Sequence, residues 1–359
     1  MFLTRLVYEH YMGKEKWLHL TFTTGVSKNL MQNVHYNFMG VTKRAFVIWG
    51  AVIVVCIISF FVRGLAQSID FTGGRNFVVQ FEQVVQPETV RNLLQPKVGD
   101  ANVQAIALGT DGKTIRVTTN YRIEEDSPTI DAEIEEFLYN ALKEGNLLGE
   151  GTTLEIFIDR DNRAGGSIIS SQKVGPSIAD DIKTSAIWSV LLAVIVIGLY
   201  ILLRFRNIAY SVGATVALVV DTVLIIGMYS LGYGILPFSL EIDQTFIGAI
   251  LTAIGYSIND KVVIFDRVRE FFHLYPKRDR AKLFNDSLNT TLARTINTSL
   301  STLIVLLCIL FLGGDSIRSF AFAMILGVVI GTLSSLFVAA PVAYLTMGHT
   351  MKDTEKAQA

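Results

Sequence analysis

Apolar residues in this chain come in long blocks rather than short alternating runs. A helix needs about 20 consecutive apolar residues to cross the hydrocarbon of a bilayer. Six segments meet that length, at residues 45–62, 186–203, 208–231, 245–265, 295–312 and 319–346. Their spacing is uneven. One span is followed by a polar block at 63–184, and five spans then follow in succession across 185–346. The first span starts too far into the chain for a cleaved leader, and no small-residue cleavage site follows it.

Within the polar block the period changes. Arg75 to Phe81 alternates apolar and polar, as a strand does. Pro87 opens a short helix to Leu94, with proline at the first helical position. Ala101–Leu108 and Thr114–Thr119 read as strands joined by a turn at Gly109-Thr110-Asp111-Gly112. Ser127-Pro128 starts a second helix that ends at Gly145, and Thr152–Asp159 reads as a last strand. That order is the split, ferredoxin-like α+β pattern. The predicted fold is therefore an α-helical polytopic membrane protein carrying a small α+β ferredoxin-like exoplasmic domain.

Composition agrees with the blocks. Charged residues make up 18% of the 359-residue chain, against about 25% in ordinary soluble domains. A net charge of −1 and the lack of a basic stripe argue against nucleic acid as a partner. The two cysteines, Cys56 and Cys308, lie in apolar runs and read as inert thiols. No histidine spacing suits a metal, and no cofactor is expected. Gly112-Lys113-Thr114 could end a phosphate loop, but the first glycine of that motif would fall on Ala107. No hydrolase elbow or zinc-protease helix motif appears, so covalent chemistry has no residue support.

Lys and Arg collect in alternate connections: Lys43 and Arg44; Arg204 and Arg206; and Arg267, Arg269, Lys277, Arg278, Arg280, Lys282 and Arg294. All fall on one side if both termini, 1–44 and 347–359, are cytoplasmic, which puts the polar block outside.

Ionisable residues inside hydrocarbon are costly and persist where they pair or line a wet path. Asp260 in the fourth span and Asp221 in the third are the acidic candidates. Tyr256 and Ser257 sit one helical turn before Asp260, and Gly248, Thr252, Gly255 and Asn259 form a small and polar stripe. Arg294, Asn297, Thr298 and Ser301 make a polar face at the start of the fifth span. Asp260 and Arg294 are expected to approach each other, either as a static pair that fixes helix packing or as groups that handle a proton. Asp221 shows no matched cation in the sequence and is expected either to take part in proton conduction or to make a structural hydrogen bond.

Specific motifs carry a family resemblance. They are Asp70-Phe71-Thr72-Gly73-Gly74 after the first span, Val174-Gly175-Pro176 before the second, Gly255 to Asp260 running on to Glu270, Arg294 to Ser299, and Gly313-Gly314. Together they resemble the SecD/SecF family of protein-export membrane proteins, on its SecF side, over about residues 40–350. The resemblance implies a transporter subunit of the resistance-nodulation-division type, in the bacterial cytoplasmic membrane. It implies a SecD partner, the SecYEG channel with the SecA motor, unfolded polypeptide as substrate, membrane lipid around it and the proton motive force as drive. It also implies that Asp260 and Arg294 conduct protons. The stretch Phe2 to Tyr8 resembles the end of a SecD helix, which implies the SecF half of a fused SecD–SecF protein. The glycine pair at 73–74 is expected to shape a turn rather than touch substrate. A passive scaffold and a small-molecule efflux subunit are the competing functions; the intramembrane Asp and Arg disfavour the first, and the small outer domain disfavours the second.

Overall fold

A computed structural model describes residue 10 and residues 35–348, apart from 100, 110, 111, 126, 163, 164, 237, 239 and 314. Most of the expected arm before residue 35, the turn at Thr110 and Asp111, Gly314 and the tail beyond 348 lie outside those residues.

Six helices are long and apolar enough to cross a membrane: α1 (Thr42–Arg63), α6 (Pro176–Phe205), α7 (Ile208–Gly232), α8 (Gln244–Leu274), α9 (Arg280–Leu312) and α10 (Ile317–Gly348). Three of them, α6, α8 and α9, outrun by two turns or more the apolar segments that announce them. The extra turns at Pro176, Leu274 and Arg280 are polar, because a helix continues past the hydrocarbon until a cap or breaker stops it. Starts are marked by side-chain caps: Asn207 accepts from the Ala209 amide at 2.9 Å, and Asp243 from the Phe246 amide at 2.8 Å. Pro176 opens α6 at the first helical position.

α10, α7 and α8 form the middle of the bundle, with 61%, 50% and 44% of their apolar windows buried, whereas α1 and α9 bury 11% each. Close backbone approach sets this packing. A Cβ placed on Gly327 of α10 would sit 2.3 Å from the Ala253 Cβ of α8, and one on Gly331 would sit 2.7 Å from the Ser257 hydroxyl. On the other flank α1 rests on α7, where Ser59 and Ser230 share a hydrogen bond at 3.0 Å. α10 passes through one π-helical turn at Ser335–Ala339, an irregularity that widens a helix locally.

The polar block folds between α1 and α6. A short helix α2 (Ile69–Thr72) leads to β1 (Gly74–Gln80), then come α3 (Pro87–Leu94), β2 (Val103–Leu108), β3 (Thr114–Thr119), α4 (Pro128–Glu144), α5 (Leu154–Ile158) and β4 (Ser167–Val174). The four strands pair antiparallel in the order β2-β3-β1-β4. The expected last strand at 152–159 is a correction: α5 occupies it, and the strand lies at Ser167–Val174. Thr153 caps α5 by accepting from the Ile156 amide, and the fully buried Phe157 faces the core.

Alternation along the strands gives the sheet two faces. Phe77, Val79, Ile115 and Val117 point into a core shared with Val90 and Leu94 of α3 and Ile134, Leu138 and Leu142 of α4. Asn76, Val78, Arg116, Ser170 and Gln172 line the other face, above the connection between α7 and α8.

Candidate functional site: a buried polar centre between α7, α8, α9 and α10

Asp260 lies near the middle of the 31-residue α8 and is 4% exposed. Its polar contact is the Thr332 hydroxyl of α10, which donates to Oδ2 at 3.4 Å. Thr332 is shared with Ser299 of α9, oxygen to oxygen at 2.6 Å. The expected approach of Arg294 to Asp260 is not an ion pair in this structure. Arg294 is exposed at the surface of α9.

The small and polar stripe of α8 also departs from expectation. Gly248, Thr252, Gly255 and Asn259 are exposed rather than packed against another helix of this chain. Arg294, Asn297, Thr298 and Ser301 on α9 are exposed as well. Tyr256 joins the two helices through its hydroxyl and that of Thr302 at 3.3 Å. Asp260 is thus buried directly behind an uncovered polar face.

Asp221 has a cation after all. The Lys261 ammonium reaches Asp221 Oδ2 at 2.9 Å, with the lysine side chain 0% and the aspartate 2% exposed. Ser257 donates to the same oxygen at 2.7 Å, and Lys261 also bonds Ser257 and, at 3.2 Å, Ser334. Asp221 Oδ1 has no hydrogen-bond partner among the described residues. Two carboxylates and one ammonium therefore share the buried centre, an arrangement that leaves one negative charge to be balanced by a proton or by Arg294 from outside. Lys261, Thr332 and Ser334 went unflagged in the sequence. A lysine inside an apolar span is as costly as an aspartate, and that signal singles out Lys261.

The family motif at the domain entrance has a different role in the fold. Ser68 caps α2 by accepting from the Asp70 amide at 3.2 Å, and Phe71 is buried. Thr72 bonds back to the Ser68 carbonyl at 3.1 Å. Gly73 and Gly74 have φ of 70° and 148°, and a Cβ on Gly74 would lie 2.9 Å from the Thr119 carbonyl oxygen. Side chains do not fit that turn. Among the described residues no group of His, Cys, Asp and Glu is placed to hold a metal ion.

Six apolar helices, an outer α+β unit and ionisable groups sealed in the bundle define a multi-pass membrane protein of the transport class. Comparison with known proteins fixes the family. Residues 159–349 match the protein export membrane protein SecD/SecF C-terminal family, and residues 58–83 match the SecD/SecF GG motif. The Protein translocase subunit SecF of Rhodothermus marinus is 38% identical over 313 residues, covering 87% of this chain and 94% of that protein. The Protein translocase subunit SecDF of Thermus thermophilus is 34% identical over 306 residues, which are 84% of this chain and 37% of that protein. The crystal structure of SecDF from Thermus thermophilus, described as a translocon-associated membrane protein, superposes with a TM-score of 0.71 at 30% identity, over 89% of this chain. The match takes in 39% of that solved chain, so this chain spans about two fifths of it. The chain belongs to the SecD/SecF protein-export family.

Proposed function

We propose that this protein is an accessory subunit of protein export that lets protons cross the membrane through Asp260, with Arg294 and the Asp221–Lys261 pair setting its charge state. The observation that carries this reading is a mid-bundle carboxylate, 4% exposed, that has no ion-pair partner among the described residues and lies behind an uncovered polar face. A buried charge without a partner is expensive unless it can be neutralised. Taking up and losing a proton is what such a group does best. One proton crossing supplies about 2.3 kcal/mol per 100 mV of membrane potential, enough to shift the balance between two helix packings.

The uncovered face on α8 and α9 indicates a helical partner. Arg, Asn, Thr and Ser groups cannot bond to acyl chains, so a polar face in the membrane calls for another polar helix surface. A SecD half, separate or fused, fits that need. The fused relative in Thermus thermophilus, of which this chain matches 37%, supports the assignment. On this reading the membrane is the bacterial cytoplasmic one, both termini are cytoplasmic, and the α+β domain works outside. There it assists unfolded polypeptides emerging from a SecYEG channel. A passive scaffold would need no ionisable residue at mid-bundle, and covalent chemistry forms no part of this function.

The test is ion flux in vesicles containing both halves, with a pH gradient imposed across the bilayer. Asp260→Asn should abolish flux, and Arg294→Met should reduce it and shift its pH dependence, while both variants insert normally. Unchanged flux in both would leave only the scaffold.

A further inference from the structure

The connection between α7 and α8 meets the outer domain at a second buried carboxylate. Residues 66–70 and 240–244 are stitched together by the main chain. Ser68 donates to the Ile242 carbonyl at 3.0 Å, Ile242 donates to the Ala66 carbonyl at 2.7 Å, and the Gln244 amide donates to Asp70 Oδ2 at 3.0 Å. The sheet itself reaches this connection through Arg116 of β3. Its guanidinium bonds Glu241 Oε2 at 3.3 Å.

Glu241 is 8% exposed, and its other oxygen, Oε1, has no donor among the described residues. It lines a polar cavity of about 440 Å³ between the open face of the sheet and the bundle. The charged groups on that wall are Arg116 from β3, Asp70 from α2 and Asp243 from the connection; β1, β4 and α10 contribute the neutral Asn76, Ser170, Gln172 and Ser319. Three carboxylates thus face one guanidinium.

We propose that Glu241 is a proton-binding site outside the membrane, and that its protonation holds the α+β domain down on the helical bundle. A proton on Oε1 turns the unpartnered acceptor into a donor and reduces the excess of three carboxylates over one guanidinium. Oε2 still accepts from Arg116, so the docked geometry suits the neutral carboxyl better than the ionised one. When the domain lifts, water solvates Glu241 and ionisation becomes easy.

The direction of the coupling follows. Burial, helped by the like charge of Asp243 and opposed by Arg116, pushes the Glu241 carboxyl above the usual range in the docked state. A lifted domain returns it toward ordinary values. Protons therefore favour docking, and rising pH favours release, because each form prefers the state in which its charge is better solvated. Glu241 lies nineteen residues before Asp260, on the connection that precedes the start of α8 at Gln244. It does not depend on proton passage through the bundle.

Spin labels on the exposed Ala132→Cys of α4 and Ile235→Cys of the connection report the separation of domain and bundle, in full-length protein with Cys56 and Cys308 replaced by alanine. The reconstituted protein should show a single short distance in acid and a growing longer population as pH rises. Glu241→Gln, which imitates the neutral acid, should keep the short distance at every pH. Asp243→Asn, which retains the helix-capping oxygen, should move the transition to lower pH. A pH-independent distance in the unaltered protein, or opening in acid, overturns the proposal. So does an unchanged transition in Glu241→Gln.

Discussion

Removing the Lys261 ammonium is the most demanding test of the buried centre. Lys261→Met keeps the length and apolar stem of the side chain but takes away the charge that Asp221 contacts at 2.9 Å. Asp221 would be left 2% exposed, with one oxygen bonded to Ser257 and the other without a partner. Breaking a buried pair from one side costs about 3–5 kcal/mol, because the remaining charge is stranded. At about 1.4 kcal/mol per tenfold, the folded-to-unfolded ratio should fall by at least about a hundredfold. Asp221→Asn should cost a comparable amount by stranding the ammonium. The double variant, with neither charge, should lie near the unaltered protein or even above it, as replacement of whole buried pairs commonly does. Reversible unfolding in mixed detergent micelles, followed by circular dichroism, gives the four stabilities of the cycle. Single losses below about 1 kcal/mol, or a double variant equal to the sum of the singles, would refute the idea that these two charges neutralise each other.

Other expectations concern packing and pH. Gly331→Leu should force α8 away from α10, since even a Cβ there meets the Ser257 hydroxyl at 2.7 Å and the Ser257 Cβ at 2.8 Å; loss of folded yield in detergent, and its recovery in Gly331→Ala combined with Ser257→Gly, check this. Ile115→Ala, at a side chain with 0% exposure in the domain core, should lower the stability of the outer domain by about 2–5 kcal/mol, read by urea unfolding with a fluorophore on α4. Arg75→Met should weaken the same domain by about 1–3 kcal/mol, because Arg75 bonds the Tyr121 carbonyl at 3.0 Å and Asp131 at 2.8 Å while 2% exposed. Glu241 has its carboxyl raised by burial, so the stability it lends the docked form is present in acid and declines as pH rises through the raised value; a thermal melt of the unaltered protein should lose more on going from mildly acid to neutral pH than that of Glu241→Gln.

The six spans are legible because hydrocarbon imposes a length and a composition together, and α1 and α7 follow their apolar runs almost to the residue. Side-chain partnership is harder to read. Lys261 follows Asp260 directly in sequence, but successive residues on a helix diverge by about 100°. The ammonium therefore turns toward α7 and meets Asp221, which has no sequence neighbour to announce the match. Arg294 and Asp260 read as a pair because both break apolar patterns, yet the helical bundle leaves the arginine on its surface. In the outer domain, Leu154-Glu155-Ile156-Phe157 alternates well enough for a strand, but the Thr153 cap closes it into a helical turn. Ser167–Val174, with serines and a lysine, gives little alternation, and neighbouring strands recruit it by main-chain pairing to β1.

The strip formed by Gly248, Thr252, Gly255 and Asn259 beside Arg294 and Asn297 bears on how the protein lives before it is assembled. A solitary copy in a bilayer would pull water and lipid headgroups down toward that strip and thin the membrane around itself. Under the proposed pairing with a SecD half, its survival would depend on how fast that half arrives, which would make matched synthesis of the two, or their linkage in one polypeptide, a matter of turnover as much as of activity.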